Sequence, residues 1–223
     1  MKDYQASFIR EAIRCEALSF GEFTLKSGRV SPYFFNAGNF CNGETMSIVG
    51  RCYAEAIIDS GLDFDMLFGP AYKGIPLAAS AAIALNDVFK TKTPYCFNRK
   101  EGKSHGEGGL LAGSPLQGKV LIIDDVMTAG TAACEAIEII SHKAGAEVTG
   151  VIIGLDRKES VVTDKPAKEF IEQAYCIPVL NIIDIDDILD FIRSSSDMTT
   201  FIKPIMKYRK IFGIAKKTKP KSN

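Results

Sequence analysis

The sequence is poor in the residues that build metal sites and disulfide frameworks, with six cysteines and two histidines among 223 residues. Cys15, Cys41, Cys52, Cys96, Cys134 and Cys176 form no C-x-x-C pair and have only His105 and His142 for company, so the spacings of a zinc site are missing. Scattered in this way, most of them read as small core residues in a thiol-reduced, cytosolic setting. No run approaches the roughly 18 uninterrupted apolar residues of a membrane span. The first residues include Lys2, Asp3, Arg10 and Glu11 and so lack the apolar core of a signal peptide. An excess of either charge is also absent. Twenty-seven Lys and Arg offset 27 Asp and Glu, so the chain as a whole has no field that draws it to nucleic acid. The balance hides a split: residues 203–223 carry eight basic side chains and no acid, which leaves 19 bases against 27 acids on residues 1–202.

Two nucleotide-binding motifs are missing as well. Gly113-Ser114-Pro115-Leu116-Gln117-Gly118-Lys119 has the form G-x-x-x-x-G-K, but Val120 stands where a P-loop needs Ser or Thr. The segment also precedes an apolar strand instead of following one. No G-x-G-x-x-G occurs between a strand and a helix, which removes a dinucleotide fold.

What remains is an ordinary globular composition, 46% hydrophobic and 24% charged, in a chain long enough to bury a sizeable core. Phe8, Ile9, Ala12, Ile13 and Leu18 recur at helical spacing behind Asp3, an N-cap residue type, so the chain opens on an amphipathic helix. Residues 23–26 and 30–36 are short β-rich runs around Ser27 and Gly28, which predicts an antiparallel hairpin. Beyond it the order becomes repetitive. The patterns predict a helix over 44–60, a strand over 66–68, a helix over 75–85 and a strand over 95–98. A glycine-rich polar stretch (99–109) separates these from a strand over 120–123, a helix over 131–144 and a strand over 148–155. A last strand over 179–183 and helices over 186–193 and 198–212 follow. Strands apolar on both faces that alternate with helices are those of an α/β fold, an open parallel sheet flanked by helices, here with a small N-terminal helix and hairpin. The expected organisation is one domain over 1–212 and a basic C-terminal tail over 213–223.

In such a sheet ligands bind beyond the carboxyl ends of the strands. The strand at 120–123 ends in Asp124-Asp125, and Val126-Met127-Thr128-Ala129-Gly130-Thr131-Ala132 then leads into a helix. Adjacent carboxylates can accept hydrogen bonds from the vicinal hydroxyls of a ribose, and small residues before a helix offer backbone N–H groups to a phosphate. A solvated acid pair before a capped helix would read the same way. The stretch at 99–109 sets Arg99, Lys100, Lys103 and His105 among Gly102, Gly106, Gly108 and Gly109, as in a cationic lid or a solvated loop. Gly69-Pro70-Ala71-Tyr72-Lys73-Gly74 is at least a turn between strand and helix.

Residues 120–131 resemble the phosphoribosyl pyrophosphate (PRPP) signature of type I phosphoribosyltransferases. Three further segments resemble the orotate phosphoribosyltransferase family: residues 69–74 its pyrophosphate loop, residues 99–109 its mobile catalytic loop, and Leu155-Asp156-Arg157 its orotate-side strand end. With Lys26 and Phe34-Phe35, the match runs in consistent order from the first helix to about residue 210. The resemblance implies the type I phosphoribosyltransferase fold, with a hood mainly within residues 1–40, and a cis peptide in the 69–74 loop. It implies transfer of the phosphoribosyl group from PRPP to orotate in pyrimidine biosynthesis. Lys103, His105, Asp124 and Asp125 would be catalytic. PRPP would be bound by Lys26, Tyr72, Lys73, Arg99, Lys100, Lys103, His105 and the run from Asp124 to Ala132, including Thr128, Ala129 and Gly130. Orotate would meet backbone groups at Phe34 and Phe35, together with Thr128 and Arg157. Magnesium would be held mainly by PRPP, near Asp124 and Asp125. The partners implied are these two small molecules and a second copy of the chain that shares lid residues, with no nucleic acid and no membrane. A purine or uracil phosphoribosyltransferase would share the 124–131 cradle without needing Arg157 or the hood. A PRPP-sensing regulator would keep the cradle but add a DNA-binding domain.

Overall fold

Helix α1 (Asp3–Arg14) buries Phe8, Ile9 and Ala12 on one face, as its periodicity predicts. Its cap differs from the expectation. Lys2 holds the N-cap position, where its backbone N–H donates to Gln5 Oε1 at 2.8 Å, and Asp3 sits in the first turn as an acid facing the positive helix end. Leu18 belongs not to this helix but to strand β1 (Leu18–Thr24), which pairs antiparallel with β2 (Val30–Phe35). The hairpin therefore starts earlier than the β-rich run at 23–26 suggested. A backbone bond from Asn36 N to Ala17 O at 2.7 Å closes its base. The structure is a computed structural model and describes residues 1–25, 27–103, 109–127, 130–159 and 167–213.

The following elements are α2 (Gly43–Ser60), β3 (Met66–Gly69), α3 (Gly74–Phe89), β4 (Tyr95–Lys103), β5 (Gly109–Gly113) and β6 (Gly118–Met127). Then come α4 (Thr131–Ser141), β7 (Ala146–Asp156), α5 (Ala167–Tyr175), β8 (Val179–Asp184), α6 (Ile185–Arg193) and α7 (Ile202–Phe212). A 3-10 segment, Ser196–Phe201, precedes α7, so the single helix expected over 198–212 is divided. Six strands form the main sheet in the order β5-β4-β3-β6-β7-β8. Five are parallel, as expected; β5 alone runs antiparallel, against β4 at the edge. Sequence patterns gave no sign of β5 or α5. β5 is only Gly-Leu-Leu-Ala-Gly, too short and glycine-flanked to show a period.

The apolar strands divide their side chains between two layers. Leu67, Leu121, Ile123, Ile152 and Leu155 face a core shared with α1, α2, α3, α6, α7 and the hairpin. Met66, Phe68, Val120, Ile122, Val151 and Ile153 face a smaller core beneath α4 and α5. This two-sided burial explains why the strands read as continuous apolar runs. Of the cysteines, Cys52 and Cys96 are buried in the two cores, Cys15 and Cys134 are half-buried and pack against them, and Cys41 and Cys176 are exposed. Among the described residues no helix is long and apolar enough to cross a membrane.

One close approach ties α2 to the end of the sheet. A Cβ on Gly154 of β7 would lie 2.8 Å from Tyr53 Oη and 2.9 Å from Asp125 O. The missing side chain lets the buried Tyr53 hydroxyl donate to Asp124 O at 2.7 Å. Gly154→Ala forces these groups apart and should cost about 1–3 kcal/mol, read as a lowered midpoint in denaturant unfolding. An unchanged midpoint would show that the close packing at Tyr53 is dispensable.

Candidate active site at the carboxyl ends of β3 and β6

From β3 the chain crosses to β4 on one side, whereas β6, β7 and β8 add in sequence on the other. The connections therefore diverge between β3 and β6, and a crevice opens where their carboxyl ends meet. The segments entering it are residues 70–73 after β3, the last residues of β6 and Gly130 at the start of α4. Sequence reasoning had singled out all three.

β6 runs to Met127, so Asp124 and Asp125 lie within the strand and not just beyond it. Each acid uses one oxygen locally. Asp124 Oδ1 accepts from Asp125 N at 2.9 Å, and Asp125 Oδ1 accepts from Val126 N at 2.8 Å. Asp125 is 7% exposed, and its Oδ2 is buried without a hydrogen bond aligned to it. The ammonium of Lys73 lies 3.1 Å from that oxygen as an ion-pair partner. Lys73 Nζ also donates to Asn36 Oδ1 at 3.3 Å. Asn36, Lys73 and Asp125 thus join the base of the hairpin, the loop after β3 and the end of β6.

The 70–73 loop is held from both sides. Asn98 of β4 accepts from Ala71 N at 2.8 Å, and Gly74 packs so closely that a Cβ there would meet Ile123 O at 2.8 Å. The Ala71–Tyr72 peptide is cis, in the loop where the family resemblance implied one. Tyr72 is 66% exposed, with the Lys100 ammonium 5.1 Å from its ring centroid. Arg99 and Lys100 belong to β4, which extends through Lys103, so these cations stand on a strand and not in a loop. On the α4 side of β6, Asp124, Val126, Met127, Gly130, Thr131 and Ala132 line a cavity of about 230 Å³. Gly130 caps α4 in the left-handed conformation at φ 78°.

Arg157 immediately follows β7 and reaches the hairpin. It is 8% exposed, its Nη2 lies 3.1 Å from Ser31 Oγ, and its guanidinium stands 4.1 Å from the Tyr33 ring centroid. The side chains of Phe34 and Phe35 point elsewhere. Phe34 stacks on Phe23 at 5.6 Å, and Phe35 packs in the core against Phe8 and Phe40. Lys26, His105, Thr128 and Ala129 lie outside the described residues, as does the side chain of Lys103. Tyr53, Asn36, Asn98, Ser31, Tyr33 and Glu159 were missed. Asn36 and Asn98 had a usable signal, a carboxamide ending or closely following a β-rich run; Tyr53 had none, sitting in the middle of an unremarkable helix.

Burial pushes the Asp124 carboxyl up from its ordinary value of 3.8 to about 7, and the neighbouring Asp125 adds to the effect. Folding thus raises the proton affinity of Asp124. The group contributes stability that is complete below pH ~4 and is lost as the pH rises toward 7. Asp124→Asn keeps an oxygen for Asp125 N and removes that loss. Thermal melts of the two forms should converge near pH 4 and diverge above pH 7, the variant becoming the more stable by at most about 4 kcal/mol. A separation that does not change with pH would contradict a protonatable Asp124.

Residues 37–195 match the family model described as the phosphoribosyl transferase domain. The orotate phosphoribosyltransferase of Serratia proteamaculans is 50% identical over 214 residues, 96% of this chain and 100% of that protein. That of Pectobacterium carotovorum is 51% identical over the same length and the same shares. The crystal structure of orotate phosphoribosyltransferase from Francisella tularensis superposes with a TM-score of 0.82 at 41% identity, over 93% of this chain and 99% of that one. With the acid pair, the counter-cation and the turn into α4 in place at the divergence of the sheet, these likenesses make the chain a member of the orotate phosphoribosyltransferase family.

Proposed function

We propose that the chain transfers the 5-phosphoribosyl group of PRPP to N1 of orotate, forming orotidine 5′-monophosphate and releasing pyrophosphate, a step toward UMP. The observation that supports this most directly is the Asp125–Lys73 ion pair in the crevice between β3 and β6. It sets a negative group where ribose hydroxyls would bind beside a positive one where pyrophosphate would leave. The cavity lined by the end of β6 and the start of α4 offers a helix N-terminus to the 5′-phosphate. As the C1–oxygen bond of PRPP breaks, positive charge grows on the ribose and negative charge on the leaving group. Asp124 and Asp125 favour the first; Lys73, Arg99 and Lys100, with Lys103 and His105 by resemblance, favour the second. Arg157 would pair with the orotate carboxylate, for which a planar guanidinium fork is suited.

The residues present fit magnesium of the kind the family implies. Among the described residues no three His, Cys, Asp or Glu side chains gather as a metal site. Asp124 and Asp125 provide two carboxylates, with the buried Oδ2 of Asp125 already faced by the Lys73 ammonium. That suits an ion which takes its remaining ligands from water and substrate phosphates. When bound, it supplies positive charge to the pyrophosphate oxygens. The same reading includes a homodimer with shared lid residues, working in the cytoplasm on small molecules without nucleic acid or membrane.

Pyrophosphate release from PRPP and magnesium, with orotate, uracil, hypoxanthine and adenine offered in parallel, tests the assignment. Turnover with orotate alone is expected; turnover with another base would discard the roles of the hood and Arg157, and PRPP binding without turnover would favour a sensor. Lys103→Ala should lower kcat by about 100-fold. Near-full turnover in that variant would remove the lid from the mechanism.

A further inference from the structure

Arg157 does not reach the hairpin as a loose cation. Its Nε donates to Glu159 Oε1 at 2.8 Å, and Nη2 lies 2.7 Å from the same oxygen. Nη2 also donates to Ser31 Oγ at 3.1 Å, and Ser31 Oγ is fixed in turn by donating to Tyr33 O at 2.7 Å. The Tyr33 ring closes one face of the guanidinium, and its hydroxyl donates to Glu159 Oε1 at 3.3 Å. A guanidinium has five N–H donors. Glu159 engages one edge, Ser31 the remaining proton of Nη2 and Tyr33 one face. The hydrogen bonds to Glu159 and Ser31 run through Nε and Nη2, which leaves Nη1 outside them. Glu159 Oε2 also stands 3.8 Å from Arg29 Nη1. The buried Tyr208 hydroxyl stands close to Arg157 and Glu159 without a well-aligned hydrogen bond. The cluster is arranged to receive one further anionic group.

We propose that Glu159 is the positioning residue for base selection: by gripping the Nε edge of Arg157 it turns the Nη1 end of the guanidinium toward the carboxylate of the incoming base. Ser31 and the Tyr33 ring complete the seat. The proposal rests on orotate as the substrate and on Arg157 as its partner. Glu159 itself touches neither substrate. Its effect falls on one substrate only, whereas a purely architectural ion pair between the end of β7 and the hairpin would affect both or neither.

The experiment uses the full chain and measures KM for orotate, KM for PRPP and kcat in Glu159→Gln, which keeps the shape and one acceptor but loses the charge. The orotate KM should rise about 10-fold, with the PRPP KM and kcat within about 2-fold of the parent. Ser31→Ala, which removes a neutral contact to the same guanidinium, should raise the orotate KM by a few-fold in the same selective way. It carries the test if Glu159→Gln does not fold, where an unchanged orotate KM would overturn the seat. An orotate KM that stays put in Glu159→Gln, or rises together with that of PRPP, overturns the proposal. So does a lower orotate KM, since Glu159 would then only be screening Arg157. Failure of the underlying reading looks different: the parent would not turn over orotate, or Arg157→Ala would leave its KM unchanged. An effect of Arg157→Ala without one of Glu159→Gln overturns the positioning role alone.

Discussion

Two adjacent carboxylates at the end of a strand covered on both faces are costly to keep, because burial and mutual repulsion both oppose their charged forms. Much of the surrounding structure reads as the answer to that cost. Local N–H groups take one oxygen of each acid, Lys73 comes to 3.1 Å from the buried Oδ2 of Asp125, and Tyr53 fixes the carbonyl of Asp124 from beneath. These partners come from the strand itself, from the loop after β3 and from α2. The crevice exists because the chain turns away in opposite directions on either side of it. The acids remain available because three separate elements hold the strand end in place.

The architecture was legible because it depends on two-sided burial. Residues 120–123 and 148–155 could be read as parallel strands from their apolar runs, and the acids that end the first of them stood out against those runs. Boundaries were less legible where polar residues continue a strand: β4 carries Arg99, Lys100 and Glu101, and β6 carries Asp124 and Asp125, because neighbouring strands supply backbone partners whatever the side chains prefer. Leu18 was assigned to a helix on spacing alone, since a helical stripe and the first residue of a following strand cannot be separated by period.

The supporting residues were the least legible part of the site. Tyr53 and Ser31 act on partners far away in sequence, and nothing local distinguishes them or Glu159 from ordinary polar or aromatic residues. The chemistry-bearing residues are recognisable because they cluster at strand ends with unusual composition. Those that orient them become visible only when the hairpin packs beside the carboxyl ends of the main sheet.

The hairpin is closed by the opposite end of the chain. Tyr33 packs edge-on against Tyr208 of α7, Arg29 lies over the Phe212 ring, and Gly213 forms an isolated bridge with Glu159. Domains assemble from the N-terminus as they leave the ribosome. Here the hairpin is made before its back wall, which lies far further along the chain. The strands that carry the acid pair are therefore complete before the wall behind Arg157 exists.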